Sequence, residues 1–79
     1  YPNPFNPTTN ISYSLSLEVY VSIDIYNLQG RIVANLTDGL MDAGYHSIMW
    51  NADQFSSGMY FVKMVAGDYV DTRKIMLLK

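Results

Sequence analysis

Apolar and polar residues alternate with period two through most of the chain. In VYVSIDIYN (19–27), Val19, Val21, Ile23 and Ile25 point to one side, and Tyr20, Ser22, Asp24 and Tyr26 to the other. Alternation rich in β-branched residues predicts a half-buried strand. ISYSLS (11–16) sets Ile11, Tyr13 and Leu15 against three serines and reads the same way. GYHSIMW (44–50) places His46, Ile48 and Trp50 on one face and Tyr45, Ser47 and Met49 on the other. In the turn NLQGR, Gly30 supplies a positive φ without steric cost, so RIVANL (31–36) reads as the return strand of a hairpin. GMYFVKMVA (58–66) and YVDTRKIMLLK (69–79) flank Gly67-Asp68, a second hairpin signal. Asp38-Gly39 and Ala43-Gly44 read as further breakers, and NADQFSS (51–57) as a polar loop with one anchor, Phe55. No stretch sustains a helical period.

Six or seven short strands separated by frequent turn signals predict an all-β fold, a small Ig-like antiparallel β-sandwich. Only one face of each sheet then needs to be apolar, which matches the alternation. The expected core is Val21, Ile23, Ile25, Trp50, Tyr60 and Val62, with Trp50 as its centrepiece. SSGMYFV (56–62) resembles the corner before the penultimate strand of immunoglobulin domains, with Tyr60 at the tyrosine-corner place and Val62 where the second cysteine would stand. In immunoglobulin domains the tryptophan lies much further upstream of that corner than Trp50 does here, so the likeness is one of architecture.

The opening stretch, YPNPFNPTT, carries all three prolines at Pro2, Pro4 and Pro7. Proline has no N–H for a ladder and pushes the preceding residue to extended geometry. Residues 1–10 are therefore expected to form an extended, stiff lead-in anchored by Phe5, or a plain proline-rich linker, and residues 11–79 the sandwich. Tyr1 as first residue suggests a piece of a longer chain, a terminal module.

Composition narrows the rest. The chain has 79 residues, 49% of them apolar and 14% aromatic, and no cysteine. A domain this small buries only about 60% of its unfolded surface, and without disulfides or thiolate-held metal its stability must come from packing. A net charge of −2 is no footprint for nucleic acid. No apolar run reaches the ~18 residues of a transmembrane helix.

Candidate chemistry is sparse. His46 is the single histidine, and a strand histidine contributing packing or a hydrogen bond explains it better than a zinc site. Asp38, Asp42 and Asp53, placed in loops, lack EF-hand spacing and read as turn formers. No G-x-S-x-G marks a nucleophilic serine, and neither an enzymatic activity nor a cofactor is expected. NIS (10–12) and NLT (35–37) fit a glycosylation sequon by chance. Tyr20, Tyr26, Tyr45 and Tyr69 suggest an aromatic strip, either as cross-strand packing or as the stacking platform of a glycan-binding accessory module.

Taken together, YPNPFNPTTNISYSL, IYNLQGRIV, DAGYHSIMW and SSGMYFVKMVAGDYVDTRKIMLLK resemble the type A C-terminal sorting domain of the bacterial type IX (Por) secretion system. The resemblance runs in one order over essentially the whole chain. Ser16, where the family usually has proline, and Asn51 and Phe55, where an aspartate and a smaller apolar residue are commoner, depart from the pattern in loops. The resemblance implies a non-catalytic signal at the end of a secreted cargo protein. It implies partners in the type IX translocon, an upstream cargo domain in the same chain and, as in many members of the family though not in all, a sortase-like protease that removes the signal. It also implies passage through the periplasm to the surface or medium of a Gram-negative bacterium. From chemistry alone, TRKIMLLK (72–79) is a last strand whose charges serve solubility and edge protection. With the resemblance, Arg73, Lys74, Ile75, Met76, Leu77, Leu78 and Lys79 become the expected recognition element, read by side chains or by strand addition.

Overall fold

The alternating segments become six strands in the computed structural model, which describes residues 8–77. They are β1 (Thr8–Leu15), β2 (Val19–Tyr26), β3 (Ile32–Met41), β4 (Gly44–Asn51), β5 (Gly58–Ala66) and β6 (Tyr69–Leu77). The proline-rich start, with Pro2, Pro4, Phe5 and Pro7, lies outside the described residues, as do Leu78 and Lys79.

Two antiparallel sheets form the sandwich. β1 pairs with β4, and the larger sheet runs β3-β2-β5-β6. β2 and β5 are therefore central, and they carry the cleanest alternation of buried and half-exposed residues. A strand flanked on both sides and covered on one face has the strongest demand for period two. β1 starts at Thr8, three residues before the predicted strand, because Thr8, Thr9 and Asn10 pair with Asn51, Trp50 and Met49.

One expected break is absent. Asp38-Gly39 does not interrupt the chain, and β3 continues through it to Met41, with Gly39 opposite Val21. Asp38 is accordingly a strand residue and not a loop one. The polar signal misleads because β3 is the outer strand of its sheet, where a strand tolerates polar residues and glycine. The register of β3 against β2 also shifts twice, between the partners of Ile23 and Asp24 and again between those of Ile25 and Tyr26. Leu36 and Val33 are the extra residues, so period two fails in RIVANL although the segment is a strand.

Local chemistry sets the turns. Asn27 Oδ1 accepts the backbone N–H groups of Gln29 and Arg31 at 2.9 and 3.0 Å, and Gly30 follows at φ 82°, which closes the β2–β3 hairpin. Gly67 sits at φ 60° in the two-residue β5–β6 turn, and its N–H donates to the Tyr20 carbonyl at 3.2 Å.

All six expected core residues, Val21, Ile23, Ile25, Trp50, Tyr60 and Val62, are buried. The centre is aliphatic, however. Val21, Ile23 and Ile25 of β2 are the largest side chains wholly removed from solvent. Trp50, near the end of β4, forms an aromatic cluster with Phe55 and Tyr60, each ring centroid 5.4 Å from its own. Phe55 is the loop anchor that the sequence suggests. The Tyr60 hydroxyl donates to the Ser56 carbonyl at 2.8 Å, the hydrogen bond of a tyrosine corner.

Candidate functional site

β6 pairs with β5 on one side only, so among the described residues its other edge is free. The two-residue turn makes Ala66 and Tyr69 the closing pair. In such a hairpin the closing pair is hydrogen-bonded, and the pattern alternates from there. The backbone groups of Val70, Thr72, Lys74 and Met76 consequently point along the free edge.

Cross-strand register fixes where each expected recognition side chain lies. Arg73 is opposite Val62 and Leu77 opposite Gly58, while Lys74 is opposite Phe61 and Met76 opposite Met59. Val62 is a core residue, so Arg73, Ile75 and Leu77 stand on the side of the sheet that faces β1 and β4. Lys74 and Met76 stand on the outer side. The expected basic pair Arg73-Lys74 is thus split between two faces. Adjacent residues of a strand always diverge in this way, a signal already present in the sequence.

Burial divides these residues further. Leu77 is 4% exposed and belongs to the core; its side chain anchors β6 and presents nothing to a partner. Ile75 packs against the same core. Arg73 remains largely in solvent and its Nε donates to Asp71 Oδ2 at 3.0 Å, an exposed pair of little energetic weight. Lys74 and Met76 are exposed. Leu78 and Lys79 lie outside the described residues.

The tyrosines do not form one strip. Tyr20 and Tyr26 occupy the outer face of β2, Tyr45 belongs to the smaller sheet, and Tyr69 is opposite the buried Ala66 on the inner side of the larger one. Tyr20 donates its phenolic hydrogen to Asp38 Oδ1 across the β2–β3 pair. That bond, then partial loss of hydration and the charge of Asp38, raises the Tyr20 pKa above its ordinary value. His46 stacks on Tyr13 with ring centroids 5.2 Å apart, and its Nε2–H donates to the Asp42 carbonyl at 2.7 Å. It is a packed, hydrogen-bonded strand histidine. Among the described residues, no three of His, Asp and Glu converge as metal ligands.

Sequence reasoning passes over the outer face of the larger sheet. Met59, Phe61 and Tyr26 lie there beside Lys74 and Met76, and Ile32 and Leu28 add exposed apolar surface at the same end. These residues are half of an ordinary alternation in each strand, and only the pairing of strands makes them neighbours.

A family model described as the secretion system C-terminal sorting domain matches residues 1–78. No curated protein and no solved structure matches the chain. The matched family consists of sorting signals for type IX secretion, which work with that machinery on an attached cargo and lead it to the cell surface or the medium. No helix among the described residues is long and apolar enough to cross a membrane.

Proposed function

The chain belongs to the secretion system C-terminal sorting domain family, and from this we propose that β6 is the strand through which the type IX translocon reads it. The domain acts without catalysis. It is carried behind an upstream cargo domain, passes through the periplasm of a Gram-negative bacterium, and is removed by a sortase-like protease once the cargo has crossed the outer membrane. The observation that supports this reading most is the free edge of β6. An exposed edge accepts an added strand, with backbone bonds giving affinity and alternate side chains giving specificity. Here the alternate side chains on the outer side are Thr72, Lys74 and Met76, one cation and one flexible thioether among them. Leu77 holds the strand in register from the inside.

Reporter export in a host that possesses the system tests the proposal. Thr72→Pro removes one N–H from the free edge without touching the β5 ladder. Lys74→Ala with Met76→Ala removes the alternate side chains. Each variant is expected to lower export at least about tenfold, the equivalent of one lost interaction of about 1.4 kcal/mol, while the purified protein keeps its strand circular dichroism. Tyr45→Ala on the smaller sheet leaves export unchanged. Normal export by folded Thr72→Pro and by the double variant would refute the reading.

A further inference from the structure

An antiparallel sheet with one face in water is expected to be polar on that face. The outer face of β3-β2-β5-β6 is not. Tyr20, Ile32, Leu40, Val70 and Met76 are each more than half exposed, and strand register places them all there. They fall into two apolar blocks. One joins Ile32, Tyr26, Phe61, Met59 and Met76, and the other joins Leu40, Tyr20, Val65 and Val70. Between them runs a polar waist in which Asp24 and Lys63 stand opposite each other and balance in charge.

The charges around this face are polarised along the strands. At the end holding Tyr20 and Leu40 lie Glu18, Asp38, Asp42 and Asp68. At the end holding Ile32 and Met76 lie Arg31 and Lys74. A face that is acidic and apolar at one end, and basic and apolar at the other, complements itself when inverted. We propose that this face is the contact surface of a two-fold dimer of the chain, with the symmetry axis lying across the strands. That axis sets the Arg31–Lys74 end of one copy over the Asp38–Asp68 end of its partner, twice. An axis along the strands would oppose like charges. A two-fold contact uses the same patch on both copies, and sheets pack face to face about 10 Å apart.

Area sets the strength. Four strands about 4.8 Å apart and some eight residues long make a face of roughly 20 by 27 Å. The pair would bury about 1,000 Å², the lower limit of specific interfaces, so a weak dimer is expected. The backbone edge of β6 stays free in this arrangement, while Lys74 and Met76 are covered, so a dimer would compete with a translocon for these side chains; the inference does not depend on the translocon reading.

Sedimentation equilibrium of the 79-residue chain tests it, from about 10 µM to about 1 mM. A monomer–dimer equilibrium is expected at low salt, weakened about tenfold at ~0.5 M salt by screening. Lys74→Glu and Asp68→Lys each weaken self-association at least about tenfold by opposing like charges, and an equimolar mixture of the two restores dimerisation as a heterodimer. Met76→Glu, which places a charge in an apolar block, independently weakens it by a similar factor. Circular dichroism of each variant verifies the fold. A chain that stays monomeric throughout, including one that binds an acidic peptide or anionic vesicles as a monomer, overturns the inference. A dimer indifferent to Met76→Glu, or charge reversals that the mixture fails to rescue, overturns it equally.

Discussion

The hydroxyl of Tyr60 reaches back four residues to the carbonyl of Ser56 at 2.8 Å, tying the start of β5 to the loop that precedes it. The same ring packs edge-on against Trp50 from the opposite sheet. Tyr60 therefore links a loop, a strand and the inter-sheet core. Tyr60→Phe keeps the ring and loses the bond, and is expected to cost about 0.5–1.5 kcal/mol. For a domain of this size each 1 kcal/mol lowers the melting temperature by roughly 4–8 °C. Urea denaturation of the two proteins measures the difference directly.

Trp50 behaves differently. Its ring is 2% exposed, and among the described residues its Nε1–H is buried without an acceptor. Trp50→Ala removes the packing and should cost about 3–5 kcal/mol. Trp50→Phe removes an unsatisfied donor, which offsets part of the lost volume. Equilibrium unfolding should rank the phenylalanine variant at least about 1.5 kcal/mol above the alanine variant; equal costs would contradict the packing role of the ring.

Gly67 is constrained twice. Its φ of 60° disfavours any side chain, and a Cβ there would come 2.9 Å from Val19 Cγ2. Gly67→Ala should destabilise by about 1–2 kcal/mol from the backbone alone. Combining it with Val19→Ala relieves the clash, so the double variant should lose less than the sum of the two single ones. Thermal melting of the four proteins measures that coupling.

High pH acts on two tyrosines. The hydrogen bond to Asp38 raises the pKa of Tyr20 in the fold, and burial raises that of Tyr13. The folded state thus favours both neutral phenols. Their contribution to stability is complete below the unfolded value near 10 and is lost as pH rises through the folded values. Melting temperature should therefore fall on the alkaline side, and Tyr20→Phe should make that fall shallower. Phenolate absorbance gives an independent reading, because the Tyr20 contribution appears at higher pH than that of a free tyrosine.

Much of this architecture is legible in the residues themselves. Period two in 19–27 and 58–66 names β2 and β5, because a strand paired on both sides and covered on one face leaves no freedom in which residues face inward. The two hairpins follow from Asn27 with Gly30 and from Gly67-Asp68, since turn geometry is a local property. The six expected core residues follow from the same alternation. The ordered motifs from residue 1 to the final lysine also carry the family, which needs no coordinates.

Other features belong to the folded chain alone. The order β3-β2-β5-β6 is a matter of which strands find each other, and no local pattern states it. That order makes β3 an outer strand able to run through Asp38-Gly39, and leaves β6 with a free edge. It also gathers Ile32, Tyr26, Phe61 and Met76 from four strands onto one surface. The sequence determined which residues face inward, because that is settled within a strand by the pleat. Tertiary structure decided which residues are neighbours and which edges stay open, because both depend on pairing between segments far apart along the chain.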